Sequence, residues 1–334
     1  MDYFSYTSCA KKLYTACTQV LHTENKKKMH IPVLKEEVLD SLKLKPGYKV
    51  VDATLGLGGH ALEMLELIGE KGHLYAFDQD ERNLLEAKKN LADYEDRITY
   101  YHFNFVSLKT CLTDDGVTSV DAALFDLGLS SPHVDDPSRG FAFKADGPLD
   151  MRYDVRQKLK ASDIVNKWSE SDLVEIFSKY GEERASKKVA REIVNARKNR
   201  PFETTEQLAD FIREQKKHIR EKKDAATNVF QALRIAVNDE LDVLAKVLPD
   251  AISVLKPGGR IAVISYHSIE DRIVKNVFRD LSKDLEDPDE HFVNKVLRAK
   301  QIDLLTKKPI IPSESEISEN PRARSAKLRV AQKV

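Results

Sequence analysis

The sequence contains few cysteines, and none of them belongs to a paired metal-binding or redox motif. Three occur in 334 residues, Cys9, Cys17 and Cys111, and no two of them have the spacing of a CxxC motif. A scattered, odd-numbered set is not the framework of a disulfide-stabilised secreted domain, and it offers no structural zinc site. We therefore predict a reducing, cytoplasmic setting and no metal.

Long apolar runs and an excess of one charge are also missing. No stretch of the sequence approaches the roughly 18 consecutive apolar residues that a membrane-spanning helix needs. Lysine plus arginine and aspartate plus glutamate number 54 each, so the formal net charge is zero. We predict a soluble protein without a membrane partner. Any surface for nucleic acid has to come from local clustering of charge.

The first 28 residues lack the periodicity of a helix or a strand. They end in the basic run Asn25-Lys26-Lys27-Lys28, and they have no continuous hydrophobic segment of the kind found in a signal peptide. We predict that residues 1–28 are a disordered extension and that the folded part of the chain begins near Met29.

From residue 48 onward, short β-branched runs alternate with helical patterns. The predicted strands cover residues 48–53, 72–77, 98–102 and 120–126. This alternation predicts right-handed βαβ units and a doubly wound, mostly parallel sheet. In such sheets, ligands bind at the carboxyl ends of the strands. Asp52, Asp78 and Asp126 end three of the predicted strands, and we expect the functional site there.

The alternation stops after the fourth strand. The next strand of the same kind, at 260–265, begins about 130 residues later, whereas a βαβ crossover needs about 30. The sequence between these two strands has helical periodicity. Ser162, Ser169 or Ser171, and Thr204 or Thr205 are placed to cap helices. We predict an inserted all-helical domain at 134–240, which interrupts a sheet domain formed by 29–133 and 241–334. Residues 325–333 alternate apolar and basic side chains, as an edge strand does.

The turn after the first strand is rich in glycine. Gly56, Gly58 and Gly59 do not fit the GxGxxG spacing with which a dinucleotide-binding turn admits a pyrophosphate. Asp78 ends the second strand 19 residues after Gly59, where a carboxylate can accept both hydroxyl groups of a ribose. The combination favours a cofactor that contains adenosine but no phosphate, such as S-adenosylmethionine.

Asp126 ends the fourth strand and is followed by Leu127-Gly128-Leu129-Ser130-Ser131-Pro132. The exocyclic amino group of a base is a poor nucleophile, because its lone pair is conjugated with the ring. Its N–H groups become more acidic as a methyl group is transferred, so an acceptor beside the nitrogen assists the reaction. We interpret Asp126 as this acceptor. The alternative is that Asp126 only orders the turn.

Several long strings in the chain are typical of one family. The strings are Asp52-Ala53-Thr54, Gly58-Gly59-His60, Phe77-Asp78-Gln79-Asp80, the Asp126–Pro132 run, Arg139-Gly140-Phe141, Asp146-Gly147-Pro148-Leu149-Asp150-Met151-Arg152, Tyr180-Gly181-Glu182-Glu183, Phe230-Gln231-Ala232-Leu233-Arg234-Ile235, His267-Ser268-Ile269-Glu270-Asp271-Arg272 and the Asn320–Arg329 tail. Across residues 29–334 the sequence resembles the bacterial 16S ribosomal RNA (cytosine-N4) methyltransferases. The resemblance implies a Rossmann-like class I methyltransferase that uses S-adenosylmethionine. Its substrate would be cytidine 1402 in the decoding region of 16S ribosomal RNA, within the small ribosomal subunit.

The same resemblance implies a set of cofactor contacts. They are Gly58, Gly59, His60, Asp78, Phe105 and Asp126. His133 stands where the family usually has glutamine, and it is implied as a further cofactor contact. An imidazole can replace one hydrogen bond of the glutamine amide but not both.

Basic residues are enriched locally in the predicted insert. Residues 182–223 hold 13 lysines and arginines against 8 acidic residues, and Lys187, Lys188 and Arg191 share one helical face. The tail after residue 320 adds Arg322 and Arg324 without any acid. We predict that these five residues bind RNA through its phosphates. A solvated charged face is the alternative.

Other functions remain open at this point. The chain could methylate another nucleic acid or a small molecule, act as a nicotinamide dehydrogenase, or assist ribosome assembly by holding the cofactor without turnover. The sequence does not determine whether the protein forms an oligomer.

Overall fold

The computed structural model of the chain describes residues 32–219, 223–286 and 296–334. The predicted extension at 1–28 lies outside the described residues.

The strands are β1 (Lys49–Asp52), β2 (His73–Phe77), β3 (Ile98–Tyr101), β4 (Val120–Asp126), β5 (Leu255–Ser265), β6 (Leu285–Glu286), β7 (Val296–Arg298), β8 (Ile302–Leu304) and β9 (Lys327–Lys333). The helices are α1 (Lys35–Leu42), α2 (Gly59–Ile68), α3 (Glu81–Asn90), α4 (Leu108–Asp114), α5 (Ser131–Asp135), α6 (Ala161–Lys167), α7 (Glu170–Lys179), α8 (Ser186–Ala196), α9 (Thr205–Lys216), α10 (Thr227–Asn238), α11 (Glu240–Val254), α12 (Ser268–Leu281) and α13 (Glu314–Glu319). Within the described ranges, no helix is both long enough and apolar enough to cross a membrane.

Seven strands form one sheet in the order β3-β2-β1-β4-β5-β9-β8. The five strands from β3 to β5 are parallel, whereas β9 pairs antiparallel with β5 and with β8. The predicted doubly wound α/β sheet is therefore confirmed. The strand order reverses between β1 and β4, and sheets of this kind form their ligand crevice at that point.

Helices cover both faces of the sheet because alternate residues of a strand point to opposite sides. Val51 and Phe125 belong to an apolar cluster completed by residues of α4, α11 and α12. Val50 and Leu124, their neighbours in sequence, belong to a second cluster with residues of α1, α2 and α3. Since both faces are buried, the central strands are almost continuously apolar until they reach their polar carboxyl ends.

The C-terminal strand lies elsewhere than the sequence predicts. β9 is not an edge strand, because it lies between β5 and the short β8, which forms the edge. The prediction is wrong because it takes the basic side chains of this strand to be solvent-exposed. Arg329 is only 7% exposed, and its Nε donates to the Asp271 carboxylate of α12 at 2.6 Å. The alternation of apolar and basic residues in β9 therefore includes an arginine in a buried ion pair, although such an alternation is typical of an exposed edge strand.

Helices α6 to α10 occupy the chain between β4 and β5. They share one apolar cluster, which includes Leu173, Phe177, Val189, Leu208 and Phe230. This shared core supports the predicted helical insert, and its limits at 134 and 240 stay a prediction.

The structure confirms two of the three predicted helix caps in this segment. Ser169 and Thr204 cap α7 and α9 by accepting backbone N–H groups. Ser162 does not begin a helix, contrary to the prediction. The Asp163 carboxylate accepts the backbone N–H of Lys160 at 3.1 Å, so that α6 begins one residue before Ser162.

A buried ion pair connects two helices of this segment. The Nζ atom of Lys216, at the end of α9, lies 2.6 Å from Oε2 of Glu183, and both side chains are fully buried. The same Nζ donates to the carbonyl oxygen of Ala225 at 2.9 Å, and Oε1 of Glu183 accepts the N–H of Ala185 at 2.8 Å. The pair therefore joins the start of α8 to the segment that leads into α10.

Replacing Glu183 with alanine should destabilise the helical segment strongly, because it removes one member of a fully buried ion pair. We expect a loss of about 3–5 kcal/mol in the free energy of unfolding. Urea unfolding followed by the fluorescence of Trp168, the only tryptophan, measures it. The matched control is Glu175→Ala, which removes an exposed ion pair with Lys179 and should leave stability unchanged. Equal stability of the two variants would contradict the prediction.

Candidate active site

A cleft opens at the carboxyl ends of β1, β2 and β4, with about 740 Å³ of space that includes open solvent. Four of the predicted cofactor residues line it, namely Asp78, Phe105, Asp126 and His133. Tyr153 and residues at the junction of α10 and α11 line it from the other side. The cleft therefore lies between the sheet and the helical segment.

Asp78 is held at the end of β2 by three donors. Its Oδ2 accepts the N–H of Gly56 at 2.9 Å and the amide of Asn83 at 3.1 Å, and its Oδ1 accepts the N–H of Asp80 at 2.8 Å. Desolvation by the surrounding protein nevertheless raises the pKa of Asp78 to about 7. The side chain is therefore rigidly placed and close to its ionisation point near neutral pH.

The glycine turn contributes differently from the prediction. Gly56 lines the cleft, whereas Gly58, Gly59 and His60 are not among its lining residues. Gly58 has φ +87°, and a Cβ atom there would lie 2.9 Å from Cδ1 of Leu91. Only glycine fits such a position without strain. Gly58 thus allows the turn to pack closely against Leu91. The predicted cofactor contacts of Gly58, Gly59 and His60 stay predictions.

Asp126 lies at the end of β4, partly exposed to the cleft. Its backbone N–H donates to Oγ1 of Thr54 at 2.6 Å, and its Oδ1 accepts the N–H of Gly128 at 3.2 Å. Desolvation raises the pKa of this carboxyl group, although the nearby His60 and the hydroxyl group of Tyr266 act in the opposite direction. Asp126 can therefore accept a proton more readily than an exposed aspartate.

Asp52, at the end of β1, is the third carboxyl group at this edge. It is 1% exposed, and its Oδ1 accepts the N–H of Thr54 at 3.1 Å. Its Oδ2 has no hydrogen-bond partner among the described residues. Burial, together with the charges of Asp126 and Asp78, raises the pKa of Asp52 to about 7. Three desolvated carboxyl groups at one edge of the sheet suit a ligand that carries positive charge.

His133 uses both ring nitrogens within the protein. Its Nε2 lies 2.7 Å from Oδ2 of Asp80, and its Nδ1 lies 2.9 Å from Oγ of Ser130. Burial lowers the pKa of His133, although Asp80 opposes this shift. The ring packs 4.8 Å from Phe141 and 5.0 Å from Tyr153, measured between centroids. The ring nitrogens of His133 therefore make hydrogen bonds within the cleft wall, and the surface of the ring is what remains to contact a ligand.

The carboxylate that His133 contacts joins the sheet to the helical segment. Asp80 also accepts a hydrogen bond from Nη1 of Arg139 at 2.5 Å. Burial alone would raise the pKa of Asp80, but the hydrogen bond of His133 and the charge of Arg139 bring it to about 2. Arg139 in turn donates to the carbonyl oxygens of Arg152 and Tyr153. The end of β2 and the far wall of the cleft thus share one buried carboxylate.

The sequence did not single out several residues of the far wall. Asn238 donates to the carbonyl oxygen of Met151 at 2.8 Å and accepts the N–H of Tyr153 at 2.9 Å, so it fixes the backbone beside the cleft. Glu240 makes two hydrogen bonds of 2.9 Å to Arg234. Arg234 belongs to one of the strings that are typical of the family. That string is the sequence signal that could have identified this part of the cleft wall.

Glu240, His267 and Glu270 place one ligand atom each within 4.8 Å of one another, the one such group among the described residues. Protein partners use several of these atoms, although Nε2 of His267 makes no hydrogen bond of good geometry to a described residue. Both carboxylate oxygens of Glu240 face Arg234, and the N–H of Glu270 donates to Nδ1 of His267 at 3.4 Å. A neutral His267 ring then carries its proton on Nε2, where a metal ion would need a lone pair. The group is best described as a hydrogen-bonded wall of the cleft.

The predicted RNA-binding residues lie on two surfaces. Lys187, Lys188 and Arg191 are exposed on α8. Arg324 is exposed in the tail, whereas Arg322 is partly buried and pairs with Asp135 of α5 at 3.1 Å. The α8 residues and Arg324 are therefore exposed, although Lys188 donates to the carbonyl oxygen of Gln215 at 2.6 Å and Arg191 pairs with Glu192 at 3.0 Å.

Comparison with known proteins places this site in a family. The model of the MraW methylase family matches residues 27–334. The chain is 43% identical over 310 residues to ribosomal RNA small subunit methyltransferase H of Clostridioides difficile, which covers 91% of this chain and 99% of that protein. It is 44% identical over 307 residues to the protein of the same name from Brevibacillus brevis, which covers 91% and 98%. An rRNA methylase structure from Streptococcus thermophilus has a TM-score of 0.42 at 13% identity, and the match covers 92% of this chain and 99% of that one.

The family assignment removes the dehydrogenase alternative and agrees with a site that suits a positively charged cofactor. The chain belongs to the MraW methylase family, and it is an S-adenosylmethionine-dependent methyltransferase of ribosomal RNA.

Proposed function

We propose that this enzyme methylates the N4 amino group of cytidine 1402 in 16S ribosomal RNA, with the small ribosomal subunit as its partner and the cytoplasm as its location. The observation that carries the proposal is the position of the Asp126 carboxyl group. It ends β4 inside the cleft, on the same wall as Asp78 and Phe105. An acceptor there suits an amino group, and the resemblance to cytosine-N4 methyltransferases identifies which one.

The residues at the sheet edge fit S-adenosylmethionine. The bound cofactor supplies a methyl group on a positively charged sulfur atom, which makes the methyl carbon electrophilic. Asp52 has an unsatisfied buried oxygen, and Asp78 and Asp126 add negative charge at the same edge. Asp78 would accept the ribose hydroxyl groups, and the ring faces of Phe105 and His133 would contact the cofactor. Gly58, Gly59 and His60 would shape the turn that supports it.

The target cytosine has to leave its stack to enter such a cleft. Enzymes that modify a base commonly turn it out into a pocket lined by aromatic side chains. Phe141 and Tyr153 stack with their centroids 5.1 Å apart, and Tyr153 lines the cleft. We assign this wall to the base and the sheet wall to the cofactor. The predicted insert at 134–240 would then supply the substrate side of the active site.

Asp126→Asn should lower turnover by more than it weakens cofactor binding. Asparagine keeps an acceptor oxygen beside the amine but is a much poorer acceptor for its proton. A positioned general base typically contributes about 10²–10⁴-fold to the rate. Single-turnover methylation of unmethylated small subunits gives the rate, and calorimetry gives the cofactor affinity.

Mass spectrometry of the nucleosides from the wild-type reaction identifies the product, which should be N4-methylcytidine at position 1402. Methyl groups on carbon 5, on the ribose or on another nucleotide would disprove the N4 proposal. Cofactor binding without any methylation would favour the assembly-protein alternative.

Cofactor affinity should rise with pH across neutrality. The pKa of Asp78 is about 7 without ligand because of desolvation, and both the positive charge of the cofactor and its ribose hydroxyl groups favour the ionised form. Binding therefore releases protons below about pH 7, and affinity should be about tenfold lower at pH 6 than at pH 8. Calorimetry in buffers of different ionisation enthalpy measures both quantities.

Asp78→Asn should weaken binding and reduce the number of protons released, since Asp52 remains to titrate. If this variant binds like the wild type, Asp78 does not hold the ribose.

The basic face of α8 should bind RNA through phosphate charge. Changing Lys187, Lys188 and Arg191 together to glutamine should weaken RNA binding and reduce the slope of log affinity against log salt by about 2. Cofactor affinity should stay unchanged.

The control changes three exposed lysines in the loops before β1 and β2, at the opposite edge of the sheet. They are Lys43, Lys45 and Lys71. If both triple variants behave alike, the face of α8 is only a solvated surface.

A further inference from the structure

The side chain of His60 is buried against Asp126. It is 7% exposed, and its Nε2 lies 3.7 Å from Oδ2 of Asp126. Neither ring nitrogen makes a hydrogen bond of good geometry to any described residue. Buried polar groups in native proteins are nearly always satisfied, so such an imidazole calls for an explanation. The explanation has to come from the neighbour it faces.

The position of the ring is set by the turn after β1. Gly58, in its left-handed conformation, precedes α2, and His60 is the second residue of that helix. The ring lies between the backbone of Val33, which favours its protonated form as a hydrogen-bond acceptor, and the carboxyl group of Asp126. If the proton of the neutral ring is on Nδ1, toward Val33, then Nε2 presents a lone pair to Asp126.

Several charged or polar groups face this pair from the surrounding elements. They are Asp52 of β1, Glu63 of α2, the N–H of Gly128, Tyr266 after β5 and Glu270 of α12. Burial lowers the pKa of His60, although the charges of Asp126 and Glu63 oppose this shift. Burial raises the pKa of Asp126. The ring is therefore neutral near pH 7, and Asp126 takes up a proton more readily than an exposed aspartate does.

We propose that His60 is a positioning residue for methyl transfer, whose neutral imidazole accepts a hydrogen bond from Asp126 once that carboxyl group has taken up the proton of the amine. This inference rests on the proposed role of Asp126. His60 stabilises the protonated carboxyl group and touches neither the base nor the methyl group.

The bonds and protons of this step balance. The amine nitrogen forms a bond to the methyl carbon as the bond from that carbon to sulfur breaks, and the electrons of the broken bond stay on sulfur. The nitrogen then loses one proton to Asp126, which becomes a neutral carboxylic acid. That acid donates its hydrogen bond to Nε2 of His60 until the product leaves and the proton passes to water.

His60→Gln tests the role, because glutamine fills the site while its amide oxygen is a weaker hydrogen-bond acceptor than an imidazole nitrogen. The matched control is His73→Gln, at the amino end of β2, where the ring contacts Thr99 at 2.9 Å. The full-length variants methylate unmethylated small subunits under single-turnover conditions between pH 5.5 and 9, with methyl-labelled S-adenosylmethionine. Calorimetry gives the cofactor affinity of each.

For His60→Gln we expect the rate to fall at least about tenfold, less than the loss of a direct base. Cofactor affinity should fall by a smaller factor than the rate does. The acid limb of the pH profile should move to lower pH, because the pKa of Asp126 falls when the acceptor for its protonated form is weaker. His73→Gln should match the wild type. A rate and pH profile like those of the control would overturn the proposal, and so would a loss of cofactor affinity that accounts for the whole loss of rate.

A measurement on the wild-type protein covers the case in which His60→Gln does not fold. Nitrogen-15 NMR of the histidine-labelled enzyme should show His60 neutral at pH 7, with its proton on Nδ1. Asp126→Asn should shift the Nε2 signal of His60 and leave the signals of His73 unchanged. A charged ring at pH 7, or a proton on Nε2, would overturn the proposal. The identity of the methylated nucleoside is read separately, so a product other than N4-methylcytidine counts against the proposed function and not against the role of His60.

Discussion

The desolvation of three carboxyl groups at one edge of the sheet is the constraint on which this candidate active site depends. Parallel strands bring their carboxyl ends together, so Asp52, Asp78 and Asp126 share a small region with little water. Backbone N–H groups from the turns that follow each strand stabilise them only in part, and desolvation raises the pKa of all three. The proposed roles of the site, namely binding a positively charged cofactor and accepting a proton from an amine, both use this shared shift.

The sequence predicted the sheet and this edge well, because both depend on local patterns. Apolar runs with aspartate at their ends identify buried parallel strands, and the long gap before β5 predicts the helices that lie between β4 and β5. Contacts between distant parts of the chain could not be predicted in the same way. His133 uses its nitrogens on Asp80 and Ser130, and Arg329 is buried against Asp271. Periodicity tells which face of an element is apolar, but it does not tell which polar groups meet across the core.

The Asp80 network shows how the two walls of the cleft are kept in register. One carboxylate caps α3, contacts His133 and accepts a hydrogen bond from Arg139, whose guanidinium group also holds the backbone at Tyr153. Because this carboxylate stays ionised, at a pKa of about 2, the link is insensitive to pH across the range in which Asp78 titrates. The wall assigned to the base therefore keeps its position while the cofactor side changes its protonation.

The insertion between β4 and β5 also has a consequence for folding. These neighbouring strands pair along most of their length, yet about 130 residues of chain separate them. Closing so long a loop costs conformational entropy before the strands gain any contact, and such non-local pairing slows folding. During synthesis, the helices between them emerge first and can pack on their own apolar cluster. The centre of the sheet, and with it the edge that carries Asp126, can therefore close only after the helices between β4 and β5 have been synthesised.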